Sequence, residues 1–389
     1  MHFTLRLFFV NFLAFSISSA ASLIGADSLG MSQHPQNAAV VRDGLAPQNP
    51  ALNAFENKTK FGTTIQYEYA SASKGKNSIA VNSFTVPSIS MVLPLGPLGT
   101  FGIGLEQKYF ANERLELIDP DPAIDANVLY IARAGLYELA PSYSIRLPYA
   151  LSDFALGASY RIIFGNSYSY IERGMSQNWG EDSWKAKNVF ITEKETAIFE
   201  PKDKWYKPFG GGIHFHKKSL DYFFSYFPSL KAEKIIKANV QFGVTDTLQS
   251  ASRTEKFELP ERFATGMHFI FLQKQNISFV YEHEKYEEPA SSYFVEYKIS
   301  GTGLFYSSFF QRNNFGLKAW YAEKYIKDVE EYGGSLFSDI WIGRRGTLVG
   351  LALLGGYRNG GAKYWNEPFL GFNLNLTGVG NWGTSSRRR

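Results

Sequence analysis

The feature that most constrains this chain is an alternation of apolar and polar residues that recurs along most of its length. In SDFALGASYRIIFG, Ser152–Gly165, every second residue from Phe154 is apolar: Phe154, Leu156, Ala158, Tyr160, Ile162 and Phe164. Ala155, Gly157, Ser159, Arg161 and Ile163 fall between them. A period of two marks a strand whose two faces meet different surroundings. The pattern returns in FGIGLEQKYF, where Phe101, Ile103, Leu105 and Tyr109 oppose Glu106 and Lys108. It returns again in LYELAPSYSIRL, where Tyr137, Leu139, Tyr143 and Ile145 oppose Glu138, Ser144 and Arg146. In FLGFNLNL, Leu370, Phe372, Leu374 and Leu376 oppose Gly371, Asn373 and Asn375. About 14 such segments, each near the 9–11 residues of a tilted membrane strand, are predicted. They begin near Phe61, Val81, Gly99, Gly135, Ser152, Pro208, Ser219, Pro260, Asn276, Tyr293, Asn314, Tyr332, Gly346 and Pro368. No helical period of comparable length follows Lys60.

The connections sort by parity. LPLGPLG, LPYALSD, HKKS, Gln273–Gln275 and Arg344–Arg345 are tight, whereas Leu115–Arg133, Asn166–Trp205 and Leu230–Glu258 are long polar excursions. A soluble sandwich has no reason to alternate short and long loops. A transmembrane barrel does, with short turns on the periplasmic side and long loops outside. Backbone groups in lipid must be paired, so such a sheet has to close on itself. The fold class predicted is therefore an all-β, antiparallel transmembrane barrel. In Ser152–Gly165 the apolar face meets lipid and Arg161 points into the lumen. An even strand count returns the C-terminus to the periplasmic side.

Residues 1–21 read as a secretory signal peptide: one positive charge before LFFVNFLAFSISSA, which ends in small residues. The chain has no cysteine, so no disulfide framework, lipoprotein anchor or thiolate metal site is expected. No later run approaches the roughly 18 apolar residues of a spanning helix. Lys and Arg number 40 and Asp and Glu 36. The basic residues are scattered, which argues against a nucleic-acid partner. Residues 22–59 are rich in Asn, Gln, Ser, Gly and Pro and have the size to fold back as a lumenal plug. The barrel is assigned to residues 60–382 and a solvated basic tail, ending in Arg-Arg-Arg, to 383–389.

In this setting three stretches resemble the outer-membrane long-chain fatty-acid transporter family, the FadL type. Asn49, Pro50 and Ala51 match the Asn-Pro-Ala signature that closes that family's N-terminal hatch. Leu259, Pro260 and Gly266 match its Leu-Pro entry into a strand rich in Gly and aromatics, and ELAPSYSIRL with FALGASYRIIFG resembles one of its hairpins. One departure is the C-terminus: GVGNWGTSSRRR runs on past Trp382, where such barrels commonly finish on an aromatic residue. The resemblance implies a 14-strand barrel with a plug, located in the bacterial outer membrane. It implies passive uptake of hydrophobic molecules such as long-chain fatty acids, with outer-membrane lipid and the barrel assembly machinery as partners. In that family the outer loops form a greasy groove, which would here use Trp179, Trp184, Phe190 and Phe199.

No His-Glu-x-x-His, P-loop or Gly-x-Ser-x-Gly motif is present, so no catalytic residue, enzyme activity or cofactor is expected. His214 and His216 share a strand face and could chelate a metal, but lack an evident third ligand, so lumenal polarity is the simpler reading. Asp119, Asp121 and Asp125 stand in an outer loop; calcium is conceivable there, a solvated loop simpler. EHEKYEE, Glu282–Glu288, reads as a solvated strand rim. Arg146 and Arg161, on neighbouring strands, are the candidate partners for a ligand carboxylate. The alternative is that Arg146, Arg161, Glu106 and Lys108 pair with one another or with the plug. A general porin or structural surface barrel is the competing function, and a soluble secreted sandwich a third.

Overall fold

The computed structural model describes residues 49–380, apart from 75–76, 119–124, 149–150, 177–187, 201–207, 218, 243–248, 272–274, 286–289, 301–309, 324–328, 343–346 and 361–365. The segments expected above as signal peptide and basic tail, most of the expected hatch, and Asp119, Asp121, Trp179 and Trp184 lie outside the described residues. A 3-10 helix, Pro50–Phe55, precedes a run of strands. These are β1 (Thr59–Lys74), β2 (Asn77–Pro94), β3 (Thr100–Ile118), β4 (Asp125–Arg146), β5 (Phe154–Tyr160), β6 (Ile162–Ser176), β7 (Asn188–Glu200), β8 (Phe209–Lys217) and β9 (Leu220–Phe227). There follow β10 (Leu230–Phe242), β11 (Gln249–Leu259), β12 (Glu261–Phe271), β13 (Gln275–Lys285), β14 (Ala290–Ser300), β15 (Phe310–Glu323), β16 (Glu330–Ile342), β17 (Thr347–Asn359) and β18 (Glu367–Gly380).

Sequential neighbours pair antiparallel, and β1 pairs with β18, so the sheet closes into a barrel. Eight of the segments are halves of four interrupted strands. β4 pairs with both β5 and β6, β7 lies beside β6 and β10, and β12 continues β11 alongside β9. The barrel therefore has 14 strands. Thr59 lies opposite Gly380, which puts the start of the first strand and the end of the last at one rim, here called the lower rim.

The four interruptions fall at one level: at Arg161, before Phe209, at Pro228–Ser229 and at Pro260. Proline cannot donate to a ladder, so Pro208, Pro228 and Pro260 each end a run of pairing. The Arg161 backbone N–H reaches the Pro208 carbonyl at 2.8 Å, and its Nη1 reaches the Pro228 carbonyl at 3.0 Å. One arginine thus satisfies carbonyls exposed by the break.

The two faces sort as the alternation requires. Phe154, Leu156, Tyr160, Leu351, Leu370 and Phe372 are exposed on the outside, while Ala155, Ser159, Arg161, Phe369 and Asn373 are buried inside. An outward apolar band on a closed sheet suits a bilayer. No helix among the described residues is long and apolar enough to cross a membrane.

Strand length departs from expectation. β3 has 19 residues and β4 has 22, well beyond a minimal span. Much of Leu115–Arg133, Asn166–Trp205 and Leu230–Glu258, read above as loops, is paired strand, and Phe190 and Phe199 lie in β7 rather than in a loop. Only residues 119–124, 177–187 and 243–248 separate the described strand ends in these three places. The physical reason is polarity. Strand ends that project past the apolar band have no greasy face to reveal them: β10 begins LKAEKIIK.

Candidate functional site

The barrel wall is not continuous. β2 and β3 pair only from Ser88–Glu106 down to Pro94–Thr100. Above that rung β2 stays paired with β1 and β3 with β4, but among the described residues no ladder joins β2 to β3. Local sequence explains the parting. In β2 the register against β1 shifts at Val86–Pro87, where proline removes a donor. In β3 it shifts between Gln107 and Tyr109, leaving Lys108 as the extra residue of a bulge. Bulges bend and twist a strand, and two facing ones splay the pair.

Lumenal charges gather beside the gap. Lys108 Nζ donates to Glu106 at 2.6 Å and stands 3.9 Å from Glu138. Arg161 donates from Nε and Nη2 to the same Glu138 oxygen at 3.0 and 2.8 Å. Arg262 lies 3.4 Å from Glu282, and both Arg161 and Arg262 sit over the Phe227 ring. These side chains are buried, so the pairing keeps charges in a low-dielectric lumen compensated.

Across the lumen runs an apolar row. Ala70, Phe369, Gly356, Gly333 and Trp320 stand opposite one another from strand to strand, followed by Phe294, Val280, Gly266 and Phe223. The non-glycine members form one buried cluster with Ala264 and Leu354, and Leu52 of the 3-10 helix packs on it. The glycines are seats. A Cβ at Gly266 would overlap the Phe223 ring, one at Gly333 the Trp320 ring and one at Gly356 the Phe369 ring. Because strands tilt, the row also descends. It starts near the upper end of β1 and continues through His214 and Ala155 to Arg146 at the lower end of β4.

Around the row's upper end lies a second ionic cluster that the sequence reading missed. Arg358, fully buried, donates to Glu331 at 2.9 Å, to Glu367 at 2.7 Å and to both oxygens of Glu68 at 2.8 and 3.1 Å. Trp320 Nε1 donates to Glu331 at 2.9 Å, and the guanidinium covers Phe369 at 4.3 Å. One arginine thereby ties β1, β16, β17 and β18 across the closing seam.

At the lower end sit Asn49, Pro50 and Ala51, all buried. Asn49 Oδ1 accepts from the Ala51 N–H at 3.0 Å, capping the 3-10 helix, and Nδ2 donates to the Phe224 carbonyl at 3.4 Å. A Cβ at Gly157 would strike the Pro50–Ala51 backbone and one at Gly212 the Asn49 amide. Phe55, at the helix end, is edge-on to His214 and His216 and lies 5.1 Å under the Arg146 guanidinium.

The residues nominated above are thus dispersed. Arg161 is inside but bound to Glu138; Arg146 is exposed at the lower end, its Nε on the Ser152 carbonyl, and does not join Arg161. Glu282 is no solvated rim residue but Arg262's lumenal partner. His214 and His216 both face Asp221, the former at 3.3 Å, and no metal-binding group of three or more such residues occurs among the described residues. Sequence did carry signals for what was missed: Pro87 within β2, and glycines at inward positions of otherwise bulky strands.

No family model and no curated protein matches this chain. Solved structures do. A Pseudomonas aeruginosa FadL homologue is 12% identical, with a TM-score of 0.58, covering 94% of this chain and 100% of that one. The fold is of the FadL type. A deletion mutant of the monoaromatic hydrocarbon channel TodX gives a TM-score of 0.51 at 11% identity, covering 86% of this chain and 94% of that one. At such identities the FadL-type likeness speaks for architecture, and the chemistry has to be argued from this chain's own residues.

Proposed function

We propose that this protein is a bacterial outer-membrane channel for passive passage of hydrophobic molecules. The observation that carries the reading is the wall gap above Ser88–Glu106, in a barrel whose lumen holds an apolar row. A porin lumen is polar and wet; here Phe223, Phe294, Trp320 and Phe369 are buried within it. The fold shared with a FadL homologue and with a hydrocarbon channel supports the reading. A hydrophobic molecule gains about 25 cal/mol per Å² by staying out of water. A path from membrane interior through the wall to an apolar row lets it stay dry, and its gradient suffices to move it. The Asn49–Phe55 segment at the row's lower end serves as the inner closure.

The test closes the gap. An uninterrupted register would set Pro87 opposite Gln107, one rung above Ser88–Glu106. The chain has no cysteine, so Pro87→Cys with Gln107→Cys gives a single disulfide on oxidation. Uptake of a radiolabelled alkane or arene into proteoliposomes should fall on oxidation and return on reduction. Equal uptake by oxidised and reduced protein, with the reduced variant at the wild-type level, would refute entry through the wall.

A further inference from the structure

The charges beside the apolar row restrict what can travel on it. Next to the gap, each described buried cation is already engaged by a protein carboxylate: Lys108 by Glu106 at 2.6 Å, Arg161 by Glu138 at 2.8 Å and Arg262 by Glu282 at 3.4 Å. Along the row's upper edge, register places Glu367, Arg358, Glu331, Ala322, Ser292 and Glu282 in succession. On that edge Glu367 and Glu331 share one guanidinium, that of Arg358, with Glu68 as a third partner, and Glu282 is held by Arg262. An incoming carboxylate would have to displace a glutamate and strand it unpaired in a low-dielectric lumen, or sit unpaired itself among like charges. An uncharged molecule meets neither obstacle.

We infer that the molecule carried is uncharged and that anionic head groups are turned away where the row begins; this rests on the passage reading given above. Lys318 needs separate treatment. It faces inward next to Trp320 and directly across the ladder from Glu296, with its ammonium 5.5 Å from the Phe294 ring centroid. It lies further down the barrel than the acidic edge, so a head group would reach it only after crossing that edge.

Purified protein in non-ionic detergent is titrated with radiolabelled 1-dodecanol and dodecanoate at a pH well above the carboxylate range, a pair that differs only in its head group. Dodecanol should bind about tenfold or more tighter, a gap of about 1.4 kcal/mol or more. Glu138→Gln and, separately, Glu282→Gln remove the carboxylate charge nearest Arg161 or Arg262. Either variant, once shown to be folded by heat-modifiable migration, should tighten dodecanoate several-fold and leave dodecanol unchanged. Dodecanoate binding as tightly as dodecanol overturns the inference alone, most directly if Lys318→Met abolishes it. Binding of neither ligand overturns the passage reading and this inference with it.

Discussion

Asn49→Leu tests whether the Asn-Pro-Ala segment is held in place by its cap. Asn49 makes two polar contacts, and Ala51, whose N–H it accepts, is fully buried. Leucine has similar bulk and no acceptor, so the Ala51 N–H is left unsatisfied, at about 1–3 kcal/mol. The longer bond to the Phe224 carbonyl, 3.4 Å, adds about 0.5–1 kcal/mol. The sum, about 1.5–4 kcal/mol, shifts the docked equilibrium by about tenfold to several-hundred-fold. The expected readout is a rise of about tenfold or more in the frequency of openings in planar bilayers. Asn49→Ser retains a capping oxygen and should lose only a fraction of this. Wild-type opening frequency and melting temperature in Asn49→Leu would refute docking by this residue. A Ser variant as leaky as the Leu variant would refute the capping argument specifically.

Arg358→Met removes the counter-charge of three buried carboxylates, so unfolding in denaturant should lose about 3–5 kcal/mol, partly restored by adding Glu331→Gln and Glu367→Gln; an unchanged midpoint would show the cluster is not coupled. Trp320→Phe keeps a ring over Gly333 but takes a donor from Glu331, and should cost about 0.5–1.5 kcal/mol in the same assay, whereas Trp320→Ala should cost about 3–5 kcal/mol and weaken hydrophobe binding. For topology, Lys285→Cys at the upper end of β13 should react with an impermeant maleimide on intact cells and Ser219→Cys in a lower turn should not; the reverse would invert the barrel.

What was legible in the sequence follows from range. The face of each strand is a local property, so the alternation in Ser152–Gly165 correctly sends Leu156 outward and Arg161 inward. What Arg161 binds is not local. Glu138 is 23 positions away and is brought near by the pairing of β4 with β5 and β6. Arg358 and Glu68 are separated by 290 positions and meet only because the barrel closes. Strand length failed for another reason: hydrophobic patterning reports contact with lipid, and β3, β4, β6, β7, β10 and β11 continue where there is no apolar band to meet. The gap needed two coincident bulges, and of these only Pro87 announces itself in sequence.

On the proposed passage, the same register bears on how a travelling molecule would part the row. Phe223 and Phe369 rest on glycine backbone, and displacing either ring gives up dispersion contacts but no hydrogen bond. Trp320 differs, since its indole N–H is bonded to Glu331, which Arg358 also holds, and Phe369 lies beneath that same guanidinium. The upper end of the row is therefore tied into the ionic cluster of the closing seam, whereas Phe223, lower down, is not among that cluster's contacts. A molecule entering at the gap would find resistance graded along the row by polar tethers rather than by apolar packing. Phe223, Trp320 and Phe369 each have a glycine seat to return to once a molecule has passed. A row of leucines would fill the same volume without such seats, and its closed state would depend on mutual packing alone.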